Sequence, residues 1–148
     1  MKVLLQRVNR ASVTVSGEIV GKIGPGLVVL VGIANGDTNN DIKYLSQKIL
    51  GLRIFADNSG KFNVSVQDIH GEMLVVSQFT LLADTKKGRR PSFTEAAPPA
   101  LAEELFNEFV DEVKRSGLNV QTGRFQEHML VEIHNDGPVT VMIDSKEN

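Results

Sequence analysis

The chain has no cysteine. Disulfides and thiolate chemistry are therefore excluded, and the absence fits a reducing compartment. It also has no long hydrophobic run: the most apolar stretch, Gly26 to Ala34 ("GLVVLVGIA"), is far too short to span a bilayer. No basic segment followed by an apolar stretch and a small-residue cleavage site opens the sequence, so a secretory leader is not expected. A cytoplasmic location is the expectation. Positive charge is not in excess, with a formal net charge of -2. That argues against a generally basic nucleic-acid binder and leaves room for a local patch.

The common catalytic signatures are missing as well. There is no G-x-S-x-G elbow, no H-E-x-x-H and no Walker loop. "GKIGPG" has glycines without the lysine-serine ending and following helix that a phosphate cradle needs, so it is a turn. Repeats and Pro-, Gly- or Ser-rich linkers are absent too, so residues 1–148 are expected to form a single domain, large enough to bury a core.

What is present reads mainly as strands. "VLLQRV" (3–8) and "SVTVSG" (12–17) are two strand patterns, and "EIVGKI" follows Gly17 as a hairpin partner. "GLVVLVGI" is apolar on both faces and reads as a central strand. "NGDTNND" supplies turn and cap residues before a helix in which Ile42, Leu45, Ile49 and Leu52 recur at helical spacing. "GEMLVVSQFTLL" is the next buried strand. After Pro98 and Pro99, a second helix carries Leu101, Leu105, Phe106, Phe109, Val110 and Val113 on one stripe, with Gly117 at its end. Two alternating strands close the chain, with Met129, Val131 and Ile133 in the first and Val139, Val141 and Ile143 in the second. About seven strands and two helices result, with the strands in adjacent runs. The expected class is mixed α+β, mostly antiparallel with helices on one face.

Four places could carry chemistry. His128, Glu132 and His134 have even separations and would share one face of an extended strand, a conceivable metal or acid-base set; a half-exposed polar strand face explains them equally well, and no metal site is expected because a third convergent ligand is unsupported. "SQFT" (77–80) ends an apolar strand, with Ser77 and Phe79 expected on one face and Gln78 and Thr80 on the other. A hydroxyl there needs an activating base, which the sequence does not offer nearby. "TKKGRR" concentrates Lys86, Lys87, Arg89 and Arg90 around a glycine, as a solvated loop or a phosphate-binding patch. Gly137-Pro138 is either a hairpin turn with proline entering an edge strand or a side-chain-free place where the backbone approaches another molecule.

Taken together, "QRVNRASVTV", "LRIFAD", "VVSQFTL", "ADTKKGRRPSF" and "NDGPVT" resemble the D-aminoacyl-tRNA deacylases in order and spacing over essentially the whole chain. The resemblance implies a homodimer of antiparallel sheets curled towards a barrel with helices outside, and no cofactor. It implies hydrolysis of the ester joining a D-amino acid to tRNA. It places Ser77, Gln78, Phe79 and Thr80 along one wall of the pocket and Ala102, Phe125 and Met129 near the aminoacyl group. Gly137-Pro138 corresponds to the family's Gly-cisPro motif, inserted from one subunit into the pocket of the other, and Arg7 to an arginine supporting it. The sequence departs from the family after Phe125, where small residues are usual and this chain has Gln126, Glu127 and His128.

Because an aminoacyl ester is already activated, a pocket poor in acid-base groups is expected to suffice, with the ribose hydroxyl of the substrate assisting and main-chain N–H groups near Phe79 and Thr80 holding the oxyanion. Thr80 as a covalent nucleophile ranks second. Rejection of L substituents by the Gly137-Pro138 backbone would leave glycine acceptable, so both D-aminoacyl-tRNA and glycyl-tRNA are expected substrates. The alternatives are a sibling editing deacylase with a trans proline and relaxed chirality, and a non-catalytic RNA-binding dimer.

Overall fold

The computed structural model describes residues 1–147. In chain order it contains β1 (Lys2–Val15), β2 (Glu18–Ile23), β3 (Gly26–Gly32), α1 (Asn39–Gly51), β4 (Phe55–Ala56), β5 (Phe62–Val64), β6 (Glu72–Ser77), a 3-10 turn (Phe79–Leu82), α2 (Pro99–Lys114), β7 (Val120–Thr122) and β8 (Leu130–Asp144). The main sheet runs β2-β1-β3-β6-β7, with β8 paired to β1. The pairings of β1 with β2, β3 and β8 are antiparallel, whereas β3-β6 and β6-β7 are parallel. The expected mixed, mostly antiparallel class therefore holds. The sheet curls until β2 and β7 nearly meet: a Cβ added at Gly21 would lie 2.5 Å from the carbonyl oxygen of Thr122. Glycine at 21 is what permits that approach.

β3 explains the two-sided core. Leu27, Val29 and Val31 face the helices, together with Ile42, Leu45 and Ile49 of α1 and Phe106, Phe109 and Val113 of α2. Val28 faces the other cluster, with Val8, Val13, Leu74 and Val76, inside the curl. Phe109 is fully buried, and such a side chain stabilises the fold by roughly 1.5–3 kcal/mol. α1 starts where the cap residues predict: the Thr38 side chain accepts from the Asn40 amide, and the Asp41 carboxylate reaches back to the Thr38 amide. Such a cap contributes about 1 kcal/mol.

Several elements differ from expectation. Residues 3–8 and 12–15 are not separate strands but parts of β1, which ends at Val15 before the Ser16-Gly17 turn, because no Gly or Pro interrupts them and a shift of register against β8 absorbs the exposed Asn9 and Arg10. The two closing strands are likewise one: β8 pairs with β1 along both halves, from Leu130↔Thr14 to Asp144↔Lys2, and Gly137-Pro138 sits in a bulge rather than a hairpin. The strand expected over residues 71–82 ends at Ser77. Gln78, at φ -142° and ψ 75°, still donates its amide to the Val31 carbonyl at 2.7 Å, and the chain then turns as a 3-10 helix. Ser77 and Phe79 therefore do not alternate with Gln78 and Thr80 across a strand. In α2, Leu101 is 40% exposed, and Ala102 takes the buried position instead. Gly117 adopts φ +83° and its amide returns to the Lys114 carbonyl, as an end-of-helix glycine should.

Candidate active site

The end of β6, the 3-10 turn, the start of α2 and the loop before β8 enclose a cleft of about 860 Å³. This lies in the range of small-molecule and substrate pockets. Its lining includes Ser77, Gln78 and Phe79 on one side and Ala102, Phe125 and Met129 on another. Separate parts of the chain thus converge at one place. Phe79 is 54% exposed and its ring meets Phe93 edge-on at 5.1 Å. Phe125 leans on Phe106 of the core at 6.3 Å. The cleft is therefore an apolar chamber with a few polar groups at its wall.

Thr80 lies just outside that lining and is exposed, yet its hydroxyl accepts a hydrogen bond from the Gln78 side-chain amide. This contact orients Gln78 at the lip of the cleft. The 3-10 turn closes through Leu81 N–H to the Gln78 carbonyl and Ala83 N–H to the Thr80 carbonyl. Among the described residues the Phe79 and Thr80 amides have no acceptor, as expected for the first N–H groups of a helical turn.

His128, Glu132 and His134 do not form the set their spacing suggested. His128 precedes β8 and lines the cleft, Glu132 accepts from the Ser12 hydroxyl at 3.2 Å, and His134 is exposed. Among the described residues no three His, Cys, Asp or Glu groups could hold a metal ion. The departure at 126–128 falls on the exposed cleft rim, and Gln126 stands at φ +63°, a conformation that favours glycine.

The Gly137-Pro138 peptide is cis. Both residues are exposed and neither lines this chain's own cleft. The bulge is nevertheless held firmly. Arg7 donates from Nε to the Asp136 carbonyl at 3.0 Å and from Nη1 to the Ile54 carbonyl at 2.7 Å, while its Nε lies 3.6 Å from the Asp136 carboxylate. The guanidinium lies over the rings of Phe55 at 6.0 Å and Phe62 at 5.4 Å. Asn135 adds a brace by accepting from the Val139 amide at 3.0 Å and donating to Thr140 at 2.9 Å. Gly137 has φ +133°, and a Cβ there would meet Val139 Cγ2 at 2.8 Å and Arg7 Nη2 at 3.1 Å. Only glycine fits without displacing the arginine.

Lys86, Lys87, Arg89 and Arg90 are all exposed on one loop, outside the cleft lining. The loop's base is clipped by reciprocal amide-carbonyl bonds between Asp84 and Ser92 at 2.8 and 2.9 Å, directly after the 3-10 turn. Among the described residues none of the four cations enters an ion pair.

Sequence reasoning missed Asn135, whose place before Asp-Gly suggested only a turn. It also missed a buried polar knot where β1 begins and β8 ends. There the Met1 ammonium donates to Asp37 at 2.6 Å and Ser145 at 2.9 Å, and Ser145 and Lys146 both donate to Asp41, at 2.6 and 2.9 Å. Burial opposes ionisation of Asp41, but the hydrogen bonds from Ser145, Lys146 and Thr38 outweigh it and hold the carboxyl well below the usual range. Asp41 in turn, as hydrogen-bond partner, raises Lys146 above its ordinary value.

A family model described as D-Tyr-tRNA(Tyr) deacylase matches residues 4–144. A D-aminoacyl-tRNA deacylase of Dehalococcoides mccartyi is 59% identical over 99% of this chain and 96% of its own length. A D-aminoacyl-tRNA deacylase of Carboxydothermus hydrogenoformans is 56% identical over 97% and 99%. Among solved structures, the c-Myc DNA Unwinding Element Binding Protein superposes with a TM-score of 0.92 at 44% identity, covering 97% of this chain and 98% of that one. A probable eukaryotic D-amino acid tRNA deacylase shares the fold with a TM-score of 0.85 at 17% identity, over 96% and 97% of the two chains. The match runs through β1, the cleft and the 136–138 bulge alike: the chain is a hydrolase of the D-Tyr-tRNA(Tyr) deacylase family.

Proposed function

We propose that the protein hydrolyses the ester joining a D-amino acid to the terminal adenosine of tRNA, and the glycyl ester on a non-cognate tRNA as well. Water attacks the acyl carbon, the ester C–O bond breaks, the ribose oxygen leaves as a hydroxyl and the amino acid leaves as its acid. The observation that carries this reading is the apolar cleft where Ser77, Gln78 and Phe79 meet Ala102, Phe125 and Met129. Family membership supplies the substrate class.

An aminoacyl ester is already activated, and its neighbouring ribose hydroxyl stands beside the carbonyl. The site has mainly to fix that geometry and steady the oxyanion. The Phe79 and Thr80 amides, without acceptors in the fold, suit that task; one such donor is typically worth about 3–4 kcal/mol. A D-tyrosyl ester on the 3′ oxygen of a 2′-deoxyadenosine terminus tests the role of the ribose hydroxyl. A large rate loss is expected, and undiminished turnover refutes it.

Chirality enters through Gly137-Pro138. In this reading the molecule is a homodimer, and the motif of one protomer enters the cleft of its partner, where its carbonyls hold the α-amino group and its backbone blocks an L substituent. Two observations support it: the motif is exposed and braced, and it lies away from its own cleft. Of the four exposed cations at 86–90, Lys87, Arg89 and Arg90 would meet tRNA phosphates and Lys86 would meet the RNA beside them, giving an affinity that falls steeply with salt. Neutralising all four should flatten that dependence; an unchanged slope makes the loop a solvated surface. The location that suits this activity is the cytoplasm. Among the described residues no helix is long and apolar enough to cross a membrane.

Incubation with D-tyrosyl-tRNA and L-tyrosyl-tRNA decides among the readings. Cleavage of the D ester alone is expected. Cleavage of both points to a deacylase with relaxed chirality, and cleavage of neither leaves a non-catalytic RNA-binding dimer.

A further inference from the structure

Across the Phe79–Leu82 turn from the aminoacyl cleft lies a second cavity, of about 450 Å³. Leu82 and Ala83 form one of its walls, and Asn35 lines both cavities. That shared wall is stiff: the Asn35 amide donates to the Glu95 carbonyl at 2.9 Å, and Ala34 bridges to Ala96. Only this four-residue turn and the Asn35 wall stand between the two cavities.

The charges lining this cavity balance. Lys2, Lys86 and Lys146 face Asp84, Glu95 and Asp144, so a phosphodiester gains little from the net field. A neutral group offering a donor and an acceptor side by side is the better match. Most of these side chains are already engaged: Lys146 Nζ lies 2.9 Å from Asp41, Lys2 Nζ lies 4.0 Å from Asp144, and Asp84 accepts from the Lys86 amide. Among the described residues the Lys86 ammonium and the Glu95 carboxylate make no ion pair. One donor and one acceptor are therefore uncommitted.

We infer that this cavity binds the base of the nucleotide preceding the terminal adenosine, and that it selects cytosine. The exocyclic amino group of cytosine donates to Glu95, while its ring N3 and O2 accept from Lys86. Carboxylates accept from that amino group in nucleic-acid recognition generally, and single-stranded RNA ends are read on this edge. Uracil reverses the pattern, presenting a carbonyl oxygen to Glu95 and an N–H to Lys86. Transfer RNAs end in the single-stranded sequence C-C-A, so the selected base is the one every substrate carries. The inference rests on the deacylase reading for its ligand and adds a second point of purchase on the RNA.

Fluorescently labelled trinucleotides CCA and CUA test it by equilibrium binding to the full protein. CCA should bind about ten-fold more tightly. Glu95→Ala and Lys86→Ala, both at exposed positions, should each bring the ratio to within about two-fold. Equal binding of the two trinucleotides to the unaltered protein overturns the inference, as does a preference that survives both substitutions. A parallel assay of D-tyrosyl ester hydrolysis on a minihelix keeps the two ideas apart. Failure of hydrolysis refutes the deacylase reading, while the binding ratio still decides the pocket.

Discussion

Two places along the β1-β8 pair are built on opposite plans. At one end Met1, Asp37, Asp41, Ser145 and Lys146 satisfy one another, and the side chain of Asp37 is wholly buried. Further along, Arg7 and Asn135 use their hydrogen-bonding capacity to hold Gly137 and Pro138 out in the open. The first arrangement consumes its own polar groups and serves stability. The second uses a part-buried arginine to present bare main chain at the surface. That contrast is what the proposed cross-subunit role of the bulge rests on.

The contrast breaks most sharply at the closed end. Asp37→Ala leaves the Ala34 amide without its acceptor and the buried Met1 ammonium without its counter-charge, with only the Ser145 hydroxyl to accept from it, and removing one partner of a buried ion pair costs about 3–5 kcal/mol. Urea unfolding should show that loss, while the rate per folded molecule stays near that of the unaltered protein. At the bulge the reverse is expected. Gly137→Ala forces a Cβ against Val139 and Arg7 and displaces the motif, so D-tyrosyl-tRNA hydrolysis should fall roughly 100-fold, measured by single-turnover kinetics, with a smaller change in the melting temperature.

Thr80→Ala sharpens the picture of the cleft. If Thr80 only orients Gln78, the rate should drop less than about ten-fold, the weight of one neutral hydrogen bond. Near-complete loss would restore it as a nucleophile. Acid probes the knot again. Below the ordinary carboxylate value of 3.8 the unfolded chain takes up a proton that folded Asp41 resists. Stability should therefore be retained above that value and decline as the pH falls below it, and Asp41→Asn should flatten this limb of the urea-stability profile. Lys146 works the other way: its contribution is present below 10.5 and fades as the pH rises beyond it. The smallest effect is expected at Phe62→Ala, which removes one of the two rings under Arg7. About 0.5–1 kcal/mol of cation-π attraction is at stake, read as a few-fold rise in hydrolysis of the L ester relative to the D ester.

Local pattern in the sequence reached the helices and the central strand, because caps and periodicity are written into neighbouring residues. Thr38, Ile42, Leu45 and Ile49 show it, as does the doubly apolar β3. Pairing partners are not written that way. Nothing local says that Lys2 will lie beside Asp144 or that β8 runs straight past a proline. "SQFTLL" alternates as a strand would, yet Gln78 turns it into the lip of a cleft. Ala102, Phe125 and Met129 entered through family resemblance, since small and apolar residues carry no chemical signature of their own. The knot was invisible for a related reason: Asp37 and Asp41 look like turn and cap residues, and the Ser145 and Lys146 partners of Asp41 arrive from more than a hundred positions away.

The long separation between β1 and β8 also bears on the protein's birth. β1 can pair with β2 and β3 as soon as these leave the ribosome, but its other edge stays uncovered until residues 130–144 emerge. A bare strand edge is a template for unwanted association. During synthesis the nascent chain therefore carries its most aggregation-prone surface from the start, and the last strand to be translated both covers it and delivers Gly137-Pro138.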